Sequence, residues 1–375
     1  RGSNGNGVAG MGGIAGLCKS LAREKTDLHV RAVDLDPPDG AQAMAEHILA
    51  ELLAAGDEVE SAWRGGKRRV LHLEEAGLPE LDGAPGGPRK DAVILATGGA
   101  RGITALAVRE LARRHACIFE IVGRTPLPGP EDPALAGLED EPDLRRALLE
   151  LMHGAAPREI EAELRRIVAE REVRATLASL EEHGATVRYR TCDVRDTDAF
   201  GALIDAIYEE RGKITGVIHA AGVIEDKLVS DKSRDSFQRV FDTKVSGALV
   251  LAERLRDDVE KVFFFSSVSS VFGNRGQTDY AAANDVLDKL ALLLDARIHG
   301  SAVSVNWGPW GGAGMVSGEL AREYERRGVA LITPEQGVAR LMDEICRGDA
   351  AQVVLMAAFD ETREANQTAP AAGRA

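Results

Sequence analysis

The stretch AVILATGGARGITALAVRELARR, residues 92–114, decides the fold. It reads as an apolar strand (Ala92–Thr97), a glycine-rich turn and a helix-forming run. Glycines at such a turn let the backbone approach a pyrophosphate, and the helix N-terminus offers free N–H groups and a partial positive charge. A glycine loop alone is a weak sign; one that follows a strand and opens a helix is a better one. The candidate cofactor contacts are Thr97, Gly98, Gly99, Arg101, Gly102 and Ile103. The spacing is TGxxxGxT, so Thr104 stands where the third glycine of the older fingerprint often sits.

Outward from this unit, further apolar runs occur at 117–123, 186–194, 215–222, 261–267, 302–308 and 352–357. Most are separated by helix-length segments, which predicts a doubly wound, Rossmann-like parallel α/β sheet with right-handed crossovers. The second strand ends at Gly123-Arg124, where a ribose-reading residue belongs. An acidic residue there favours NAD, whereas arginine favours a 2′-phosphate, so NADPH is the expected cofactor. The third strand ends in Cys192-Asp193-Val194, with the aspartate positioned to accept from an adenine amino group. The fourth ends in His219-Ala220-Ala221-Gly222, small residues leaving room for a nicotinamide ribose. His219 itself reads as a packed strand residue, because nothing pairs it with a nucleophile.

A second constellation lies between Lys244 and Asn284. Ser267 (in FFFSSVSS) precedes Tyr280 (in QTDYAAAN) by thirteen residues, so a strand end and the next helix can bring both hydroxyls together. Tyr280 and Asn284 stand at i and i+4 on one helix face. A tyrosine is a poor acid at neutral pH, with a free pKa of about 10. Lys244 is the candidate ammonium to lower it by favouring the phenolate. Such a group can protonate a carbonyl oxygen while hydride reaches its carbon. Ser266, Ser269 and Ser270 are neighbouring candidates, whose bland reading is a strand-end turn; the thirteen-residue interval favours Ser267.

The chain has 375 residues, enough for two domains and a substantial core. Its 60 acidic and 46 basic residues give a net charge of -14, which argues against a nucleic-acid surface. Cys18, Cys117, Cys192 and Cys346 show no zinc or redox spacing; buried thiols in a reducing, cytoplasmic setting are expected, with no metal site. No apolar run approaches the roughly 18 residues of a membrane span, and no signal peptide is visible. The opening Arg1-Gly2-Ser3 lacks an initiating methionine, which points to a piece of a longer polypeptide with a cloning remnant at Gly2-Ser3.

Before residue 89 the elements are a helix-like run near Leu17–Glu24, a strand-like Val30–Asp36 and an amphipathic helix Ala41–Ala55 with Met44, Ile48, Leu52 and Ala55 at helical spacing. Two strands, Val59–Trp63 and Arg69–Leu73, flank a Gly65-Gly66 turn. The turn-rich Gly83–Pro88 marks a boundary, giving domains at 1–88 and 89–360 with a polar tail at 361–375. An insertion at about 125–183 holds a proline-rich loop and charged helices at 141–153 and 158–183. Pro157 suits the first turn of the second helix and Gly184 its stop. Helices this charged seldom line an active site, so a solvated decoration is expected.

TGGARGIT, CDV, HAAG, FSS and YAAAN, in this order and spacing, resemble the short-chain dehydrogenase/reductase superfamily. Within it they are similar to the ketoreductase domains of type I polyketide and fatty acid synthases. Most of the superfamily carries a lysine four residues after the tyrosine; here that position is Asn284. The polyketide-synthase group shares this exchange, with its lysine on the helix that holds Lys244. Trp307–Trp310 (WGPW) and ITPEQGVARL are also similar to that group, and the GGARGIT loop and long insertion look most like the iterative, polyunsaturated-fatty-acid-synthase type.

The resemblance implies a truncated, cofactor-free structural subdomain at 1–88 and an NADPH-dependent reductase acting on β-ketoacyl groups tethered to an acyl carrier protein. It implies that Tyr280 donates the proton, Ser267 hydrogen-bonds the substrate oxygen, Lys244 stabilises the phenolate and Asn284 supports the relay, with Pro309 and Trp310 at the cofactor. Ile224-Glu225-Asp226 is similar to the LDD motif of B-type domains, which give the (R)-alcohol. The tryptophan of the opposite type is absent before Tyr280, where Phe272 sits two turns upstream. The alternatives are a non-catalytic, NADP-binding scaffold and a free-standing dehydrogenase of sugars or steroids. The filled catalytic positions count against the first, and Asn284 with the N-terminal subdomain counts against the second.

Overall fold

The computed structural model describes residues 12–79, 86–312, 322, 324, 326 and 329–357. Residues 1–11, part of the Gly83–Pro88 boundary and the tail from 361 lie outside the described residues. Elements run α1 (Ile14–Glu24), β1 (Ala32–Asp34), α2 (Gly40–Leu53), β2 (Glu60–Arg64), β3 (Lys67–Val70), β4 (Val93–Thr97), α3 (Gly102–His115) and β5 (Ile118–Gly123). Next come α4 (Glu141–Leu151), α5 (Pro157–Glu182), β6 (Thr186–Thr191), α6 (Thr197–Arg211), β7 (Gly216–His219) and α7 (Arg234–Arg254). Last are β8 (Lys261–Ser267), α8 (Val268–Phe272), α9 (Thr278–Arg297), β9 (Ser301–Trp307), α10 (Pro334–Arg347) and β10 (Gln352–Leu355).

The main sheet has strand order β10-β9-β8-β7-β4-β5-β6, all neighbours parallel. This is the doubly wound arrangement expected from the seven apolar runs. Every residue of β4 is buried, as a parallel strand covered on both faces requires. Alternate side chains feed two cores: Leu95, Phe264 and Leu251 lie on the side of α6, α7 and α9. Ile94, Phe263 and Leu341 lie on the side of α3, α5 and α10. The chain runs outward from β4 to β6, then returns to β7 beside β4. The crevice between the carboxyl ends of β4 and β7 is therefore the topological switch point, where doubly wound folds bind ligands.

The N-terminal elements form a separate sheet of β1, β2 and β3, parallel then antiparallel. Gly65 and Gly66 both have positive φ and form the two-residue turn, pairing Arg64 with Lys67. That tight turn pulls the second strand to Lys67–Val70, earlier than the expected 69–73. The amphipathic reading of α2 is overturned. Ile48 and Leu52 are exposed, and the buried positions are His47 and Glu51. His47 stacks on Trp63 at 4.0 Å, and Glu51 accepts from Trp63 Nε1 and from Arg68. Polar pairing with the neighbouring hairpin, not the apolar stripe, orients this helix.

In the 125–183 region, Pro157 opens α5 and Gly184 follows its end with φ 76°, as the sequence suggests. Leu144, Leu148, Ile160 and Leu164 join α4 and α5 in a small core of their own. No helix among the described residues is long and apolar enough to cross a membrane.

Candidate active site

The glycine-rich loop bridges β4 and α3 at the switch point. Gly98 has φ 69° and Gly102 φ 58°, conformations that residues with a Cβ rarely adopt. Arg101 stands at the N-cap of α3 with no side-chain cap bond, so the first-turn N–H groups stay available to an anion. That open helix end, at the mouth of a cavity of about 1290 Å³, fits a dinucleotide pyrophosphate.

A buried polar chain ties this loop to the second constellation. His219 is fully buried, and burial pushes its pKa down to about 4, so the imidazole is neutral. Its Nε2 lies 2.8 Å from the Lys244 carbonyl and must carry the proton. Nδ1 then accepts from the Thr97 hydroxyl at 2.9 Å, and Thr97 Oγ1 in turn accepts from the Ala220 and Ala221 N–H groups. Thr97 and His219 thus lock the ends of β4 and β7 to α7 at Lys244, away from the cavity surface.

Lys244, Ser267, Tyr280 and Asn284 come together from α7, β8 and α9. The Lys244 Nζ donates to the Phe265 carbonyl at 2.7 Å and stands 5.2 Å from the centre of the Tyr280 ring. A Cβ on residue 222 would lie 3.0 Å from the Lys244 Cε, so Gly222 makes room for the lysine itself. Burial pushes the Tyr280 phenol up to about 12, with the Asn284 side chain pulling it the other way. Burial also brings the Lys244 amine down to about 7, against the pull of the Asp288 carboxylate. The expected lowering of the phenol by the amine is not found: loss of water around the phenol dominates, and the pull downward comes from Asn284 rather than from Lys244. Asn284 donates to the Tyr280 carbonyl at 2.8 Å, and its Oδ1 has no protein partner.

The serines divide by role. Asp288, buried, accepts from the Ser270 hydroxyl at 2.6 Å and from Ser304, while Asn306 Nδ2 reaches Asp288, Ser266 Oγ and the Ser267 carbonyl. The hydroxyls of Ser266 and Ser270 are therefore consumed in this web, although Ser266 also lines the cavity. Ser267 Oγ accepts from the Ser269 N–H at 3.2 Å, which leaves its own O–H to donate into the cavity.

Of the residues expected at the cofactor, Gly98, Arg101, Gly102, Ile103, Gly123, Arg124, Cys192, Val194, Ala220, Ala221, Gly222, Pro309 and Trp310 line this cavity, with Lys244, Ser267 and Tyr280. Thr97, Gly99, Asp193, His219 and Asn284 do not. The Asp193 carboxylate turns to the Arg195 guanidinium at 2.6 Å and to the Arg195 N–H.

The largest revision concerns the insertion. Arg171, Glu172 and Thr176 of α5 line the same cavity. Thr176 donates to the Ala100 carbonyl at 2.9 Å and accepts from Arg109 at 2.8 Å, and Glu172 pairs with Arg101. A helix read as solvated decoration braces the glycine-rich loop. Its Glu172 faces the loop's Arg101 across space, a pairing that no local spacing signals.

The KR domain family model matches residues 92–312. The chain is 32% identical over 370 residues to a polyunsaturated fatty acid synthase polypeptide of Thraustochytrium, covering 93% of the chain and 13% of that protein. It is 31% identical over 375 residues to a phenolphthiocerol/phthiocerol polyketide synthase polypeptide of Mycobacterium tuberculosis, covering 95% of the chain and 17% of that protein. The chain thus spans a small part of these relatives. Among solved structures, a ketoreductase from the first module of phoslactomycin biosynthesis in Streptomyces aligns with TM-score 0.70 at 26% identity, covering 92% of this chain and 69% of that one. An A1-type ketoreductase aligns with TM-score 0.70 at 27% identity, covering 94% and 64%.

Proposed function

This chain belongs to the KR family, the ketoreductases of polyketide and polyunsaturated fatty acid synthases, and from that footing we propose that it reduces a β-ketoacyl thioester, carried on an acyl carrier protein, to the β-hydroxyacyl thioester with NADPH. The observation that carries the reading is the convergence of Ser267, Tyr280 and Lys244 with the glycine-rich loop on one cavity.

When bound, NADPH supplies hydride to the ketone carbon. The first-turn N–H groups of α3 would hold its pyrophosphate, and Arg124 with Arg101 its 2′-phosphate. The Tyr280 O–H passes its proton to the ketone oxygen, and the Ser267 O–H donates a hydrogen bond to that same oxygen. Lys244, when charged, stabilises the phenolate left on Tyr280. The unpartnered Asn284 Oδ1 accepts from a donor that reprotonates it. One hydride and one proton are added, and the thioester is untouched.

Ile224, Asp226 and Phe272 line the cavity. Their identities support B-type reduction to the (R)-alcohol. The chain divides into a structural subdomain at 1–88, a catalytic subdomain at 89–360 and a tail at 361–375. Its partners are the carrier protein and the other domains of the parent synthase.

A single-turnover assay with a β-ketoacyl thioester tests the reading: NADPH absorbance should be lost in proportion to enzyme, and chiral analysis should find the (R)-alcohol. If NADPH binds and is never oxidised, the domain is a cofactor-binding scaffold instead. The opposite alcohol would remove the B-type assignment alone.

A further inference from the structure

The wall between Ser267 and Tyr280 is held from behind by the N-terminal helix. α1 packs against α8 and α9, and its side chains meet the backbone of residues 270–276 one after another. Lys19 Nζ donates to the Ser270 carbonyl and Arg23 Nε to the Phe272 carbonyl, each at 3.1 Å. Ser20 Oγ accepts from the Asn274 N–H at 3.1 Å. A Cβ on Gly273 would collide with the Lys19 backbone, so the approach is as close as two chains allow.

Glu24 ends this row and does something the others do not. One carboxylate oxygen accepts from the Gly276 N–H at 3.0 Å, and the other accepts from the Val229 N–H at 2.7 Å. These amides belong to separate loops, one entering α9 and one following β7. The loops also touch each other, Lys227 N–H donating to the Gly276 carbonyl and Gln277 Nε2 to Asp226. Asp226, Asn274 and Gln277 line the same cavity as Ser267 and Tyr280. Backbone N–H groups in such short connections need partners, and a carboxylate is a strong one.

We propose that Glu24 is a positioning residue for ketoreduction: by bridging Val229 and Gly276 it sets the spacing of the two loops, and so the presentation of the ketone to Tyr280. This rests on the function proposed above. It also makes the 1–88 segment a contributor to the active site's geometry.

The test uses the full chain with Glu24→Ala and the isosteric Glu24→Gln. Amide hydrogen exchange is followed at Val229 and Gly276, NADPH binding by fluorescence, and product enantiomers from a β-ketoacyl thioester by chiral analysis. Exchange should quicken at both amides in Glu24→Ala and at one in Glu24→Gln, which keeps a single acceptor. kcat should fall about tenfold in the alanine variant and less in the glutamine one, as misplaced reactants imply. The minor enantiomer should grow while NADPH affinity is kept. Native exchange in both variants would overturn the bridge. Faster exchange with wild-type kcat and enantiomer ratio would overturn the positioning role, as would joint loss of NADPH affinity in both variants. If the wild-type chain reduces no thioester, the function falls and the exchange arm alone decides whether the bridge exists.

Discussion

The Lys244 ammonium nitrogen stands over the face of the Tyr280 ring, 5.2 Å from its centre, while its hydrogen bond goes to the Phe265 carbonyl. Two helices, α7 and α9, bring amine and phenol together where water is scarce. Burial then pushes the phenol up to about 12 and the amine down to about 7.

The first prediction concerns pH. Lys244 loses its charge as pH rises through about 7, whereas Tyr280 stays protonated well above that. The charged amine favours the phenolate left after proton transfer, and the neutral amine does not. kcat/KM, which reports the free enzyme, should therefore fall as pH rises through about 7. In Lys244→Met this limb should vanish, with a loss of about a hundredfold at the acidic plateau. A wild-type profile that is flat across this range would contradict the assignment.

Arg124 is exposed at the end of β5 and lines the cavity. Arg124→Ala should cut the preference for NADPH over NADH by about tenfold, through loss of charge-assisted bonds to a 2′-phosphate. Fluorescence titration with both cofactors measures it. An unchanged ratio would shift the role to Arg101 or dismiss it.

The Thr176 hydroxyl joins α5 to the Ala100 carbonyl and to Arg109. Thr176→Val leaves the buried Ala100 carbonyl and the half-buried Arg109 without it, which should destabilise the fold by about 1–3 kcal/mol. Because Ala100 sits in the glycine-rich loop proposed to hold the cofactor, NADPH affinity should weaken too. Denaturant unfolding and cofactor titration check the two effects, and a neutral variant would return the insertion to mere decoration.

The glycine-rich loop, the alternation of strands and helices and the Tyr280–Asn284 pair are legible in the sequence because each depends on spacing within a short stretch. What the sequence hides depends on contacts between distant segments. Nothing near Glu24 reveals that its carboxylate bridges Val229 and Gly276, more than two hundred residues away. The charge of α5 suggests a solvated face, yet Glu172 faces Arg101 across the cavity mouth. On α2 the apolar stripe points one way, and the stacking of His47 on Trp63 turns the helix another. The order of the two pKa values is hidden for a related reason. A lysine near a tyrosine is visible in a motif, whereas the depth of burial of both is a property of the whole packed core.

The most direct measurement is single-turnover NADPH oxidation by Tyr280→Phe beside the wild-type chain, with cofactor affinity measured on both. In the proposed mechanism the lost hydroxyl acts in the transition state, so the rate should fall by about a hundredfold or more while NADPH binding stays nearly intact. A variant that reduces the β-ketoacyl thioester at the wild-type rate would show that the proton comes from another group.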